Sequence, residues 1–308
     1  MSNKNLIRAQ AVGNDEFYTR YEVIEFFMTR IDPSEFCDKI IYCNCDWPES
    51  NYVKYYKNNF KRLGLKKLIA TGIFDFTRNF DWHGSYYEYD GVNEIIGELN
   101  GRGEFDSSES LKLLSECDIV VTNPPFSLMH KYVKTVINSG KKYITLMGIH
   151  LMLPAVLKEI VEGRLKIIVT RDDQTISFND RKNWFIKNGE PVSVMANIVT
   201  NIENSVQPER EYPLEKYYDP ELYPKYDGLD IINVDKMIDI PCDYTGWMGI
   251  PITGLCNRAV LSKKQFNIHG ILWHHDHSFY NYGEPYINGK TIFPRLVVSL
   301  KHPENPKK

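Results

Sequence analysis

The sequence predicts an α/β protein in which a doubly wound, mostly parallel sheet with one antiparallel strand precedes a smaller, β-rich C-terminal region. Short apolar runs alternate with helical patterns over residues 1–203, which is typical of a parallel sheet covered by helices. From Glu203 onward prolines recur and helical periodicity fades. The length of 308 residues is sufficient for one large domain and a smaller one.

The predicted strands are short, apolar and rich in β-branched residues, as buried parallel strands are. They lie at 39–45, 67–71, 118–122, 143–147 and 166–170. Helical patterns occupy 50–63, 128–138 and 154–162. A hairpin is predicted through 85–89. The run at 192–200 is expected to pair antiparallel with its neighbour, because the dipeptide Asn188-Gly189 favours a tight turn.

The change of composition predicts a domain boundary close to residue 203. Residues 1–203 complete the strand-and-helix pattern, and we expect the chemistry there. Residues 204–308 contain a proline-rich linker that ends near Tyr226, followed by short strands at 260–271 and 295–300. We expect this second region to recognise the partner molecule. Its candidate contacts are Arg258, Lys263, Lys264, Arg295, Trp273, Tyr280 and Tyr282.

Composition excludes several protein classes. The opening residues carry no apolar signal segment, and no run approaches the roughly 18 apolar residues of a membrane helix, so we expect a cytoplasmic protein. The six cysteines show no disulfide framework. No metal site is predicted, because the pair Cys43 and Cys45 has no second pair and the histidine-rich stretch 274–277 has no element to direct ligands.

Net charge does not indicate a nucleic-acid binder by itself. The formal charge is −3, without an overall basic excess. Residues 51–67 carry six lysines and arginines and no acid, which favours a solvated helix face over a phosphate track. A local basic groove on a slightly acidic protein stays compatible with this composition, since net charge governs solubility rather than a single groove.

The segment 118–126 is the most informative part of the chain. A buried strand ends abruptly at Asn123, and Pro124 and Pro125 then hold the backbone extended ahead of Phe126. The Asn123 side-chain carbonyl and the Pro124 backbone carbonyl can each accept a hydrogen bond from one proton of an aryl amine, which directs the nitrogen lone pair towards a methyl donor. Phe126 can stack on a base flipped out of its helix. The alternative is a proline-terminated strand with a buried phenylalanine.

These residues and four further blocks resemble the EcoRI-type adenine-specific DNA methyltransferases. Besides 118–128, the blocks are 15–19, 42–46, 63–71 and 103–105, and together they span roughly residues 14–150. The resemblance implies a Rossmann-like methyltransferase sheet and the catalytic group Asn123, Pro124, Pro125 and Phe126. It also implies S-adenosyl-L-methionine as cofactor and double-stranded DNA as substrate. Methylation at adenine N6 within a restriction-modification system, alongside a cognate restriction endonuclease, is then expected.

The resemblance also implies a cofactor site. Its expected members are Phe17, Tyr18, Thr19, Asn44, Asp46, Glu104 and Phe105. The Asp46 carboxylate would receive the ammonium group of the cofactor. Two departures stand out: the turn after the first strand lacks the usual glycines, and the second strand ends at Thr71 and Gly72 rather than at an acid. The residue that binds the ribose is therefore unassigned, with Asp75 as a candidate.

Each assignment has a structural alternative. Asp15 and Glu16 can begin a helix, Asp46 can form a turn, and Phe17 can be a core residue. The same catalytic geometry would serve an enzyme that methylates RNA adenine, cytosine N4 or a protein glutamine. A different class is an inactive nucleic-acid-binding module that keeps the fold, although binding alone does not need the motif at 123–126.

Overall fold

The chain forms two compact units. The computed structural model describes residues 18–73, 83–125, 128–147, 156–168, 176–179, 186–187, 190–191, 193–194, 197–205, 209–255, 260–261, 264–274 and 280–304. The first unit comprises Met1–Met152 and Thr170–Val206, and the second comprises Leu153–Val169 and Gln207–Lys308. The chain therefore enters the second unit, returns to the first and leaves it again.

Strands and helices alternate along the first unit. Up to residue 125 they are β1 (Tyr18–Thr19), α1 (Tyr21–Met28), β2 (Ile40–Cys43), α2 (Asn51–Asn58), α3 (Phe60–Leu63), β3 (Lys67–Gly72), β4 (Ser85–Tyr89), β5 (Glu94–Glu98), α4 (Ser108–Glu116) and β6 (Ile119–Thr122). Next come α5 (Met129–Asn138), β7 (Lys142–Met147), β8 (Lys166–Ile168, within the second unit), β9 (Ile176–Asn179), β10 (Ile186–Lys187), β11 (Glu190–Pro191), β12 (Ser193–Val194) and β13 (Asn197–Thr200).

A large, mostly parallel sheet forms the centre of the first unit. Its strand order in this unit is β5-β4-β3-β2-β6-β7-β13. The four central strands β3, β2, β6 and β7 are parallel, while β4 and β13 run against them. The prediction of a single antiparallel strand is therefore wrong: the short turn after Tyr89 folds β4 and β5 into a hairpin that extends the sheet beyond β3.

The central strands lie where apolar runs predicted them, and two other predictions need correction. The helical pattern at 50–63 is divided into α2 and α3 at Asn59, whose side-chain amide donates to the Tyr55 carbonyl oxygen (2.9 Å). The run at 192–200 is also not one strand. Its first part, β12, pairs with β9, and its second part, β13, pairs with β7. The hairpin predicted around residues 188–189 is present as β10 and β11.

The order of the strands creates a topological switch point. In the sheet, β3 is the neighbour of β2 on one edge, and β6 is its neighbour on the opposite edge. Ligands of open α/β sheets bind outside the carboxyl ends of the strands at such a point. Asp118 fixes the register here, because its carboxylate accepts from the Ile40 amide (2.8 Å) and its own amide donates to the Ile40 carbonyl oxygen (3.0 Å).

The second unit is rich in short strands. Besides β8 and a helical segment at 156–161, its elements are β14 (Glu209–Arg210), β15 (Ile231–Asn233), β16 (Trp247–Pro251), β17 (Val260–Leu261), β18 (Phe266–Leu272), β19 (Tyr286–Ile287), β20 (Lys290–Thr291) and β21 (Arg295–Leu300), with 3-10 turns at Met237–Asp239 and Ile252–Leu255. A four-stranded sheet has the order β15-β16-β21-β18. Its core includes Tyr226, Ile231, Leu272 and Val297.

Arg295 belongs to this core rather than to a binding surface. Only 8% of the residue is exposed, and its guanidinium donates to Asn233 Oδ1 (3.2 Å) and to the Phe293 carbonyl oxygen (3.1 Å). The expectation that Arg295 contacts the partner molecule is therefore wrong. Of the other candidates there, Arg258 and Lys263 lie outside the described residues.

Among the described helices, none is long and apolar enough to cross a membrane.

Candidate active site

The carboxyl ends of β2 and β6 lie side by side. The two strands pair in parallel, with Tyr42 opposite Val120. Asn44 directly follows β2, and Asn123 directly follows β6. The amide side chains expected to hold the cofactor and the target amine therefore start from neighbouring strand ends at the switch point.

A buried hydrogen bond joins these two strand ends. The Thr122 hydroxyl donates to Asp46 Oδ2 at 2.6 Å, and both residues are buried. The Asp46 backbone amide also donates to the Thr71 carbonyl oxygen (3.0 Å), so the turn after β2 is tied to the ends of both β3 and β6. Burial raises the pKa of the Asp46 carboxyl to about 6, against the opposing effect of hydrogen bonds from Thr122 and Ser50. The Asp46 carboxyl therefore loses its proton at a higher pH than an ordinary aspartate does.

Asn44 is fully buried in the same turn. Its Oδ1 accepts a hydrogen bond from the Tyr132 hydroxyl of α5 at 3.0 Å. Its Nδ2 is buried and has no hydrogen-bond partner among the described residues. A buried donor without a partner is costly and rare in folded proteins, which makes this amide a natural contact for a bound ligand.

Three glycines bring the segment 103–105 to this turn. A Cβ on Gly72 would lie 2.8 Å from the Asp46 carbonyl oxygen, and one on Gly103 would lie 2.6 Å from the Gly72 carbonyl oxygen. A Cβ on Gly84 would lie 2.5 Å from the Gly103 Cα. Gly103 also has a φ of +86°, which favours glycine. Close backbone packing by glycines therefore exists here, although the turn after β2 has none.

Glu104 and Phe105 follow Gly103 and differ in environment. Glu104 is exposed, whereas Phe105 is 4% exposed and packs edge-on against Tyr132, with ring centroids 5.1 Å apart. The preceding loop is held by the Glu109 carboxylate, which accepts from the Asn100 amide (3.0 Å) and the Gly101 amide (2.7 Å). These backbone hydrogen bonds lower the pKa of Glu109. The structure therefore fixes the loop and leaves the Glu104 carboxylate accessible.

The N-terminal block is placed beside α2. The Thr19 carbonyl oxygen accepts from Asn51 Nδ2 (2.8 Å), and Thr19 is 3% exposed. Asn51 is the first residue of α2, the helix that follows the turn containing Asn44 and Asp46. Thr19 therefore lies beside the helix that follows the turn containing Asn44 and Asp46, the residues with which it is expected to bind the cofactor. Phe17 lies outside the described residues, as does the side chain of Tyr18.

The catalytic motif forms the connection between β6 and α5. Asn123 is partly buried, Pro124 is buried, and the Pro125 carbonyl oxygen accepts from the Leu128 amide (3.1 Å) where the next helix begins. Two prolines restrict this connection because their φ angles are fixed. Phe126 lies outside the described residues.

Comparison with known proteins identifies the family. The sequence profile described as "Adenine-specific methyltransferase EcoRI" matches residues 5–298. The chain belongs to this family. The Type II methyltransferase M.EcoRI of Escherichia coli is 37% identical over 281 residues, covering 82% of this chain and 86% of the relative. M.MpnI of Mycoplasma pneumoniae is 32% identical, covering 85% of this chain and 83% of the relative. No solved structure matches the chain.

Membership of the EcoRI family makes this protein an adenine-specific DNA methyltransferase, as the motif at 123–126 and its neighbours predicted. Two residues at this candidate site escaped sequence analysis. Thr122 was given no role, and Tyr132 was only part of a helical pattern. Both act on partners more than seventy positions away, Asp46 and Asn44, so local sequence carries no signal for them. In the described residues of the methyltransferase, no cluster of three or more potential ligands could hold a metal ion.

Proposed function

We propose that this DNA methyltransferase transfers the methyl group of S-adenosyl-L-methionine to the N6 amine of an adenine flipped out of double-stranded DNA. The observation that carries the proposal is the Thr122–Asp46 hydrogen bond of 2.6 Å. It holds the start of the catalytic motif against the turn expected to bind the cofactor. The methyl donor and the amine acceptor would then meet at the carboxyl ends of β2 and β6.

The residues present suit S-adenosyl-L-methionine. When bound, the cofactor supplies an electrophilic methyl group. The buried Nδ2 of Asn44 would donate to one of its acceptor atoms, and the Asp46 carboxylate would receive its ammonium group. The close backbone packing of Gly72 and Gly103 brings the segment 103–105 next to this turn. The remaining proposed contacts are Phe17, Tyr18, Thr19, Glu104 and Phe105.

The proposed catalytic residues orient the amine. The Asn123 side-chain oxygen and the Pro124 carbonyl oxygen each accept one of the two N6 protons. This draws the nitrogen away from planarity, so its lone pair points at the methyl group instead of being delocalised into the ring. Pro124 and Pro125 keep the loop stiff, and Phe126 stacks on the extrahelical base. Preorganised polar contacts of this kind act mainly on the transition state.

The strand order supports a Rossmann-like, doubly wound methyltransferase sheet for the first unit. Its parallel strands β3, β2, β6 and β7 are arranged around a switch point, and the antiparallel β13 lies beside β7. We propose that residues 1–203 perform the chemistry and that residues 204–308 supply DNA recognition. The residues Gln207–Lys308 support this division because they contain a hydrophobic core cluster of their own and expose a large aromatic residue, Phe293, to 83%, while Leu153–Val169 also belong to their unit.

The relatives suggest the biological setting. M.EcoRI and M.MpnI are both named Type II methyltransferases. We propose that this enzyme likewise belongs to a restriction-modification system, in which it protects DNA from a cognate restriction endonuclease. Family membership disfavours the alternatives of RNA adenine, cytosine N4 and protein glutamine as substrates, and of an inactive binding module.

Methylation of plasmid DNA, followed by mapping of modified bases, tests the proposal. The wild-type enzyme with S-adenosyl-L-methionine should produce N6-methyladenine at a defined site. We predict that Asn123→Ala lowers kcat by about 10²–10³-fold, the usual scale for removing one preorganised polar contact. Its affinity for S-adenosylhomocysteine should change by no more than a few fold, because Asn123 acts on the amine. Asn138→Ala, exposed at the end of α5, is the matched control. Near-normal turnover of Asn123→Ala would refute the catalytic assignment.

A further inference from the structure

A buried tyrosine connects α5 to the proposed cofactor turn. Tyr132 is 0% exposed, and its hydroxyl donates to Asn44 Oδ1 at 3.0 Å. Phe105 packs edge-on against the Tyr132 ring and restricts its position. Burial raises the pKa of Tyr132, so the phenol keeps the proton that it donates. A fixed O–H donor therefore faces one end of the Asn44 amide.

This donor decides which way the Asn44 side chain faces. A primary amide has an acceptor oxygen at one end and an NH2 donor at the other, and rotation by half a turn exchanges them. In the exchanged orientation the Tyr132 oxygen could accept from the NH2 group, but the buried hydroxyl proton would lose Asn44 Oδ1, the acceptor to which it donates. In the observed orientation the hydroxyl binds Oδ1, and the buried Nδ2 is left without a partner among the described residues.

An unpartnered buried NH2 group next to the ends of β2 and β6 indicates a ligand acceptor. We propose that Tyr132 is a positioning residue of the cofactor site, which fixes the Asn44 amide so that Nδ2 donates to S-adenosyl-L-methionine. This inference rests on the proposed function. The atoms that can accept are the carboxylate, the ribose oxygens and the ring nitrogens of the adenine in the cofactor. Tyr132 itself touches no substrate and acts through Asn44.

Binding of S-adenosylhomocysteine to the full-length enzyme, measured by calorimetry, tests the inference. Tyr132→Phe removes one oxygen and keeps the ring, so Asn44 loses its orienting partner. We expect the dissociation constant to rise about three- to tenfold, the scale of one hydrogen bond between neutral groups. In turnover assays the KM for S-adenosyl-L-methionine should rise much more than kcat falls, because Asn123 is untouched.

Tyr56→Phe is the matched control. Tyr56 is equally buried and also loses one hydrogen bond, to Met28 Sδ (3.3 Å), but it does not contact Asn44. It should leave the dissociation constant for S-adenosylhomocysteine unchanged. If Tyr132→Phe and Tyr56→Phe weaken binding equally, the effect is one of general stability and the inference is wrong. An unchanged affinity in Tyr132→Phe would also overturn it.

A double-mutant cycle with Asn44→Ala shows whether Tyr132 acts through Asn44. In the Asn44→Ala background, Tyr132→Phe should no longer change affinity, since the amide it orients is gone. Equal effects in both backgrounds would overturn the inference. Failure of the proposed function is a separate outcome: the wild-type enzyme would then neither bind S-adenosylhomocysteine nor methylate DNA. If the wild-type enzyme does both and the cycle shows no coupling, only the role of Tyr132 fails.

Discussion

Each of the two units contains a buried tyrosine that donates to a buried asparagine, and the two pairs differ in what the asparagine does next. In the second unit, Tyr226 donates to Asn233 Oδ1 (2.7 Å), and Asn233 Nδ2 donates in turn to Asp235 Oδ1 (2.7 Å). In the first unit, Tyr132 donates to Asn44 Oδ1, but Asn44 Nδ2 has no partner among the described residues.

The difference separates a structural network from the proposed cofactor site. Asn233 has both ends of its amide occupied and also receives the buried Arg295 guanidinium, so it completes a core. In Asn44, Oδ1 is bonded to Tyr132, whereas Nδ2 is buried beside the ends of β2 and β6 without a partner among the described residues. The same pair of residues can therefore stabilise a fold or prepare a ligand contact, depending on whether the second amide group is satisfied within the protein.

Replacing each of the two asparagines by alanine, in separate variants, should give the largest difference in stability and in cofactor affinity. Asn233→Ala removes the buried Oδ1 that accepts from both Tyr226 and the charged Arg295, and we predict a loss of about 2–4 kcal/mol in the free energy of unfolding. Its affinity for S-adenosylhomocysteine should be unchanged. Asn44→Ala should lower the free energy of unfolding by only about 1 kcal/mol and should weaken binding of S-adenosylhomocysteine by roughly tenfold or more.

Denaturant unfolding and calorimetry measure the two quantities separately. The comparison holds if Asn233→Ala loses more stability and Asn44→Ala loses more affinity for S-adenosylhomocysteine. It fails if Asn44→Ala destabilises the protein as strongly as Asn233→Ala while leaving affinity intact, since Asn44 would then be a core residue.

The second prediction concerns pH and Asp46. Its pKa is raised by burial to about 6, so the carboxylate that we propose receives the cofactor ammonium is present above this pH and is lost as the pH falls. Affinity for S-adenosylhomocysteine should therefore fall by up to about tenfold per pH unit below pH 6. Burial also raises the pKa of Cys43 and Tyr132, so both stay uncharged over this range.

Titrations of binding between pH 5 and 7.5 check this prediction, with Asp46→Asn as the comparison variant. Asp46→Asn should bind more weakly at pH 7.5 and show a flat profile. Stability has the opposite sign, since the pKa is raised from 3.8 in the unfolded chain: the folded protein binds more protons between pH 4 and 6, and its free energy of unfolding falls as the pH rises through this interval. A wild-type binding profile that is flat through pH 6 would rule out the ammonium contact.

The smallest predicted effect contrasts exposed apolar residues of the two units. Phe293 in the second unit is 83% exposed, and Ile96 in the first is 68% exposed, so alanine at either position should leave stability unchanged. If the second unit contacts DNA, Phe293→Ala should weaken DNA binding by roughly fivefold, about 1 kcal/mol, through lost base contact. Ile96→Ala should have no effect. Equal DNA affinities in both variants, measured by fluorescence anisotropy, would count against recognition through Phe293.

The sequence predicted the centre of the fold better than its edges. The strands β2, β3, β6 and β7 are continuous apolar runs, and burial on both faces makes such runs recognisable. The run at 192–200 was misjudged because one apolar stretch serves two different sheets as β12 and β13. Its partners β9 and β7 are chosen by the tertiary fold, not by local pattern.

The site shows the same limit. The residues at strand ends, such as Asn44 and Asn123, follow directly from the motifs. Their supports do not: Thr122 and Tyr132 reach Asp46 and Asn44 across 76 and 88 positions. The glycine packing is equally non-local, since Gly72, Gly84 and Gly103 are unevenly spaced and meet only after folding. Sequence patterns identify the residues expected to perform the chemistry, whereas the residues that position them can be found only from the folded structure.

The return of the chain from the second unit to the first has a consequence for biosynthesis. Leu153–Val169 belong to the second unit, whose remainder begins only at Gln207. These residues leave the ribosome before most of their own core has been synthesised, and the first unit is itself incomplete until Val206 has been added. The second unit therefore cannot finish folding until the C-terminal residues have been synthesised. A transplant of the C-terminal region between relatives would separate this segment from its unit, so an exchange that is to fold must carry both pieces.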